Sequence, residues 1–394
     1  MQQLADSLLQ TGFLQGVPTE AGYALVIAFF AFVLLNFIML IAGVTSWLER
    51  RVWARIQSRV GPNRVGPQGV IQWLADGIKN IMKEDIVPAE ADRPLFKAAP
   101  YLAMMGFFAT FAVIPFGDGL VVADLNVGVL YITAVTALVV VGILMAGWAS
   151  NNKWALLGGI RSAAQIISYE IPAGIAVITV VLFTGSLSMQ TIIRAQGWAP
   201  WDWFLFANPF LCIASFIFFV SALAEGNRTP FDLPEAESEL VAGAFTEYSG
   251  LRNLLFFLVE WGNLYVIGAL YTTMFLGGWQ IPPITEQPVI QGALQFATFF
   301  AKSYFLVFVA MWIRGTLPRV RVDQLMTLCW KYLVPITFAN LIGAMIWFVL
   351  FPNGLAIMRF AMFALGVAVT IYFFSRILFH LRRARPRLRL NPIS

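Results

Sequence analysis

Five carboxylates, Glu225, Asp232, Glu235, Glu237 and Glu239, fall within fifteen positions of a chain that has only 21 acids. Side chains this crowded repel one another when ionised, so some of them hold a proton where an isolated carboxylate would not. Such a cluster suits a site that takes up protons and passes them on. Pro230 and Pro234 stiffen the stretch and remove two backbone donors, which holds the acids in place. Three more charges, Glu170, Glu260 and Lys302, lie inside apolar stretches, where each costs about 2.5–3.5 kcal/mol to insert. At 1.5 Å per helical residue, Glu170 is roughly 13 Å beyond Arg161, Glu260 about 12 Å beyond Arg252, and Lys302 about 18 Å before Arg314. The order Glu225, then Glu260 and Glu170, then Lys302 therefore descends from the inner surface to mid-membrane. Pro172 frees a helix carbonyl for water near Glu170. The structural alternative is a buried pair, with Glu170 or Glu260 neutralising Lys302.

The elements that position these groups must be membrane helices. The 394 residues are 59% hydrophobic and only 12% charged, against about 25% charged in a soluble domain. Stretches of about 20 apolar residues cross a bilayer. Nine are predicted, near 22–47, 98–117, 128–149, 165–185, 207–225, 253–277, 293–314, 331–351 and 355–379. The fold class is thus all-α, a polytopic bundle of about nine spans forming a single membrane domain over residues 1–394. The first 49 residues hold no Lys or Arg, so the first span lacks the basic region of a cleaved signal peptide and is read as a retained anchor. With the N-terminus outside, 23 of the 26 basic residues fall in inner segments, the exceptions being Arg194, Lys302 and Arg359. This asymmetry orients the chain and puts the Arg-rich C-terminal tail in the cytoplasm.

One helix should not cross. From Val70 to Met82, the apolar residues Val70, Leu74, Ile78, Ile81 and Met82 recur at helical spacing between Gln72, Asp76, Lys79, Asn80 and Lys83, the pattern of an amphipathic helix lying on the inner surface. It is either scaffold or one wall of a lipid-accessible opening. Redox ligands are missing. Cys212 and Cys329 are far apart, and His380 is the sole histidine, so an iron–sulfur cluster, a zinc site and bis-His haem are excluded, and metal ligands are expected to be none. No nucleotide-binding glycine motif follows a strand pattern. Any electrons belong to a partner. The net charge of +5 comes from short segments between apolar spans and does not suggest nucleic acid.

The stretch Pro230-Phe-Asp-Leu-Pro-Glu-Ala-Glu-Ser-Glu-Leu-Val-Ala-Gly243 resembles the signature of the H-subunit of NADH–quinone oxidoreductase, respiratory complex I, the counterpart of mitochondrial NADH dehydrogenase subunit 1. Further blocks follow the family in order: Glu49-Arg50-Arg51, Arg59-Val-Gly-Pro-Asn63, Gly69-Val-Ile-Gln-Trp-Leu-Ala-Asp-Gly-Ile-Lys79, Lys83-Glu84, Ala149-Ser-Asn-Asn-Lys153, Arg161-Ser-Ala-Ala-Gln-Ile-Ile-Ser-Tyr-Glu170 and Leu317-Pro-Arg-Val-Arg-Val-Asp-Gln-Leu325. The resemblance covers about residues 20 to 351. Trp73 and Asn80 depart from the family pattern, and residues 352–394 add a ninth span and basic tail to a core of eight spans at 22–351.

The resemblance implies a subunit at the joint between the membrane and peripheral arms, with no cofactor of its own. Quinone is the substrate, and iron–sulfur clusters and FMN belong to partner subunits. The implied partners are the peripheral-arm subunits of the quinone site, neighbouring small membrane subunits and lipid, and the implied location is a bacterial plasma membrane. Carried over by position, Glu49, Arg50, Arg59 and Arg228 line the charged part of the quinone chamber. Glu225, Asp232, Glu235, Glu237, Glu239, Glu170, Glu260 and Lys302 form a proton-coupling network. Arg314, Arg319 and Arg321 anchor the inner loop. The alternative is the homologous subunit of a membrane-bound hydrogenase or formate hydrogenlyase, which needs no quinone tunnel. A stand-alone transporter would carry inverted repeats, and none is apparent.

Overall fold

The computed structural model describes residues 19–232, 237–352 and 354–384, and among these there are helices and no strands. Nine helices run along the bundle: α1 Thr19–Ile56, α3 Arg93–Thr110, α4 Gly128–Ala149, α5 Lys153–Thr184, α6 Pro209–Glu225, α7 Gly250–Phe275, α8 Pro288–Thr316, α9 Val322–Leu350 and α10 Ala356–Ala384. A tenth, α2 Gln72–Met82, lies between α1 and α3 in the chain. The polytopic all-α fold expected from the hydropathy is present. Seven of the nine are long and apolar enough to cross a membrane, while α6 has 17 residues and α3, which carries Arg93 and Lys97, has 18. At 1.5 Å per residue these two reach only about 26–27 Å, slightly less than a hydrocarbon core of about 30 Å.

Length mismatch also works in the other direction. The 38 residues of α1 extend about 57 Å, well beyond the thickness of a hydrocarbon core of about 30 Å. α7 is the hub, packing on α1, α3, α6 and α8. Its Tyr265 is fully buried with Phe107 of α3, Phe111 just beyond that helix and Phe299 of α8 in the main core. A second core, around Tyr169, Phe231, Met311, Leu325 and Cys329, joins α5, α8 and α9 to the start of the acidic stretch.

Two close approaches hold the site's supports. At Gly158 on α5, a Cβ would come within 2.6 Å of the backbone nitrogen of Ala244 and 2.7 Å of Gly243, so only glycine lets α5 lie on the backbone that follows the acidic stretch. At Gly43 on α1, a Cβ would sit 2.4 Å from the indole of Trp73, so Trp73 docks α2 in a notch of α1. One stripe of α1 continues the attachment: Trp47 Nε1 donates to the Gln68 carbonyl (3.3 Å), Arg51 to Gln68 Oε1 (2.8 Å), and Arg50 to Asp76. Beyond the other end of α2, Arg252 at the start of α7 pairs with Asp85 at 2.9 Å. The surface helix therefore bridges α1 and α7, with Leu74, Ile78 and Ile81 left exposed along its apolar side.

α9 carries a π-helical stretch at Leu328–Leu333, ending two residues before Pro335, which has no N–H to give to the preceding turn. The stretch meets α5 beside Pro172. The Ser168 carbonyl freed by Pro172 accepts from the Cys329 thiol at 3.1 Å, and Trp330 Nε1 donates to the Ser168 hydroxyl at 3.3 Å. The expectation that water would take this carbonyl is thus corrected: a neighbouring helix occupies it.

Candidate functional site

The site starts where α6 ends. Gly226 N–H bonds back to Ala222 and Arg228 N–H to Leu223, with Asn227 in the left-handed region (φ 50°), the backbone a helix uses to terminate and reverse. This turn drives Arg228 inward, where its side chain is 2% exposed. Its Nη1 lies 3.1 Å from Glu49 Oε1 and 3.0 Å from Glu260 Oε1, and its Nη2 donates to the Glu260 carbonyl at 3.1 Å. Arg314 of α8 also donates to Glu49, and its guanidinium covers the Trp53 ring at 4.8 Å. Among the described residues, two acids and two guanidiniums from α1, α7, α8 and the α6 turn thus form a cluster with Glu49 and Arg228 buried at its centre, each guanidinium meeting a carboxylate as its planar geometry favours.

Two cavities continue from this cluster. The smaller, about 40 Å³, is lined by Glu260, Glu225, Asn227 and Asn263 among apolar residues of α3, α4, α5 and α7. The larger, about 80 Å³, is lined by Glu225, Glu170, Asn263, Thr110, Thr133 and Thr136. Each exceeds the roughly 10–15 Å³ that one water needs, and each offers several polar partners. Arg228, Glu260, Glu225 and Glu170 therefore form one line from the α1–α7–α8 junction into the centre of the bundle. Glu170 makes no ion pair among the described residues.

The remaining acids lie elsewhere. Asp232 is buried and pairs with Arg319 at 3.2 Å, while Glu239 is half-exposed and pairs with Arg161 at 2.8 Å. Glu237 opens a short helix, Glu237–Leu240; its side chain, like Glu235 as a whole, lies outside the described residues. Past the stretch, Tyr248 stacks on Phe96 and donates to its carbonyl at 3.1 Å; burial holds this phenol well above the ordinary tyrosine range, with Arg252 opposing the shift.

Of the residues expected in the charged chamber, Glu49 and Arg228 meet. Arg50 turns to α2 and lies 5.8 Å from the Trp261 ring, and exposed Arg59 donates to Gln57. Arg314, expected to anchor the inner loop, belongs to the central cluster. The expected counter-charge is a correction. Lys302 donates to the carbonyls of Leu276 (2.8 Å) and Gly278 (3.1 Å) and sits 4.5 Å from the Trp203 ring. Leu276 follows the far end of α7, about 24 Å from Glu260 at helical rise, so Lys302 neutralises neither acid. The C-terminal carbonyls of a helix supply what the ammonium needs. The other two outlying cations are also held, Arg194 by Asp118 at 2.7 Å and Arg359 by Asp202 at 3.4 Å.

Sequence reasoning passed over Gln165, whose buried amide donates to the carbonyls of Ala224 and Phe231, both at 2.7 Å, and clamps the α6 turn to α5. A lone glutamine in an apolar helix was the available signal.

The family model for NADH dehydrogenase matches residues 29–345. The chain belongs to the NADH dehydrogenase family. It is similar to the NADH-quinone oxidoreductase H-subunit of Anaeromyxobacter dehalogenans (strain 2CP-C), 56% identical over 366 residues, covering 88% of this chain and 89% of the relative. It is also similar to the NADH-quinone oxidoreductase subunit 8 of Rhodothermus marinus, 48% identical over 326 residues and covering 80% and 95% of the two chains. The H-subunit of Chlorobaculum tepidum is 49% identical over 311 residues, 76% and 86% of the respective chains. All four residues of the ion cluster fall within the family match, whereas α10 lies beyond it.

Proposed function

We propose that this chain is the membrane subunit of a proton-pumping NADH:quinone oxidoreductase that admits the quinone and couples its reduction to proton movement. The observation that carries the proposal is the succession of ion cluster, 40 Å³ cavity and 80 Å³ cavity, with Glu260, Glu225 and Glu170 in their linings. Quinone reduction consumes two electrons and two protons. The electrons come from iron–sulfur clusters and FMN on partner subunits, and this chain supplies the opening and the titratable line. α1, α2 and α7 frame the opening, with exposed apolar residues for a lipid-borne tail and Arg50, Asp76 and Trp261 at its polar edge. Inside, the cluster sets Glu49 and Glu260 against Arg228 and Arg314 among the described residues. A negative charge arriving on the quinone headgroup, or a proton leaving Glu260, unbalances it, and the low-dielectric surroundings transmit that change to Glu225 and Glu170.

Glu170→Gln keeps the side-chain volume and breaks no ion pair, so complex content should stay normal. Quinone reductase rate and proton pumping per assembled complex should both fall at least tenfold. Glu260→Gln should do the same with lower content, because Arg228 loses a partner. Full turnover and pumping in both variants would refute the coupling role. For the opening, nothing lies within 4 Å of a Cβ placed on Gly77, so Gly77→Trp fits on α2. It should slow reduction of a long-chain quinone and spare an artificial acceptor upstream. Equal loss of both activities would remove the portal.

The basic loops are assigned to the cytoplasm, with the N-terminus outside in a bacterial plasma membrane. A reporter fused after Ser394 should score cytoplasmic, and an external score would reverse the orientation.

A further inference from the structure

The two cavities share four lining residues: Val139, Ile166, Glu225 and Asn263. Two are apolar and offer nothing to a hydrogen-bonded chain. Glu225 is the carboxylate of the line already described. Asn263, on α7 one turn after Glu260, is the other polar group at this waist, and among the described residues its side chain has no hydrogen-bond partner in the protein. It is also not among the buried polar atoms sealed from solvent-sized space, so its amide faces the cavities. A polar side chain that lines both of two water-sized spaces, with its donors and acceptor unspent on the described protein groups, is equipped to bind water.

We infer that Asn263 is a positioning residue for proton transfer, holding water on both sides of the Glu225 waist so that the Glu260 and Glu170 ends stay connected. This inference rests on the proposed coupling function. An amide donates through its nitrogen and accepts through its oxygen, so it orients a water in each cavity without gaining or losing a proton itself. The moving proton is taken from one water by the Glu225 carboxylate and released from the carboxyl group to a water on the other side. Each step breaks one O–H bond and forms another, and no oxidant or other reactant is required. Glu225 alone could accept the proton, but an unoriented water beside Val139 and Ile166 has no second anchor.

The test uses the assembled complex in membrane vesicles, with Asn263→Leu, Asn263→Ser and Glu225→Gln compared by complex content, quinone reductase rate, pumping and solvent deuterium isotope effect. Asn263→Leu replaces the amide by apolar volume. It should lower turnover and pumping at least fivefold per complex and raise the isotope effect, while Asn263→Ser, which restores a hydroxyl and leaves room for water, should keep at least half the rate. A purely structural asparagine would change complex content and leave the isotope effect of the assembled enzyme unmoved, and that result overturns the inference. Should Asn263→Leu fail to assemble, Asn263→Val, which is shorter in reach, decides by the same criteria. Normal turnover and pumping in the apolar variant, with Glu225→Gln defective, would overturn the role of Asn263 and leave the coupling reading intact. Normal behaviour in both would remove the coupling reading and this inference with it.

Discussion

Membranes expressing Arg228→Met should contain little assembled complex, and what assembles should not reduce quinone. Arg228 is matched to Glu49 at 3.1 Å and Glu260 at 3.0 Å, and it also satisfies the Glu260 carbonyl. Methionine fills much of the volume but removes the cation paired with Glu260, leaving it only the more distant Arg314, which also pairs with Glu49. Breaking a buried ion pair in this way costs about 3–5 kcal/mol, more than a hundredfold in an equilibrium. Lysine at this position should rescue only partly, because one ammonium lacks the planar fork that reaches two carboxylates and a carbonyl. The double variant Arg228→Met with Glu260→Gln, which removes the stranded charge, should recover assembly without activity. Normal complex content in Arg228→Met, measured on native gels, would show that the cluster does not hold the subunit together.

Gly158→Val should be as damaging for a different reason. The atoms within reach of a new Cβ at 158 are backbone atoms of Gly243 and Ala244, which cannot rotate away as a side chain does. Overpacking of this kind typically costs about 1–3 kcal/mol and more where nothing can yield. Moving α5 off this backbone would also shift Glu170 and Gln165, and with them the wall of the larger cavity. Complex content should drop by about half in Gly158→Ala and almost completely in Gly158→Val. Gly292→Val, where no atom lies within 4 Å, should assemble normally. Equal content in Gly158→Val and Gly292→Val would contradict the close approach.

Much of the fold was legible because hydropathy is a local property. The nine apolar stretches each became a helix, and the 3.6-residue periodicity of 70–82 became α2. The lengths of α3 and α6 were less legible, since Arg93 starts one helix and the left-handed Asn227 follows the end of the other, and neither feature changes the hydropathy. The site divided along similar lines. An acid in an apolar stretch announces itself, so Glu170, Glu225 and Glu260 stand out in the sequence. Partner choice was hidden, because Glu49 and Arg228 are 179 positions apart and Glu49 and Arg314 are 265 apart, with no pattern linking them. Lys302 misled for the same reason: a cation implied an anion, whereas backbone carbonyls at a helix end, invisible as residue types, do the neutralising. The carbonyl freed by Pro172 was correctly located but assigned to water, because nothing in the residues near it pointed to Cys329.

The three cations on the far side of the bundle share a temporal property. Arg194 binds Asp118, Arg359 binds Asp202, and Lys302 binds the carbonyls of Leu276 and Gly278, and in every case the acceptor precedes the cation in the chain. A ribosome makes the chain from its N-terminus, so each of these positive charges emerges after the group that will hold it has already been delivered to the membrane. None has to wait unpaired for a later segment. Each of these contacts can therefore close as soon as its second member is made.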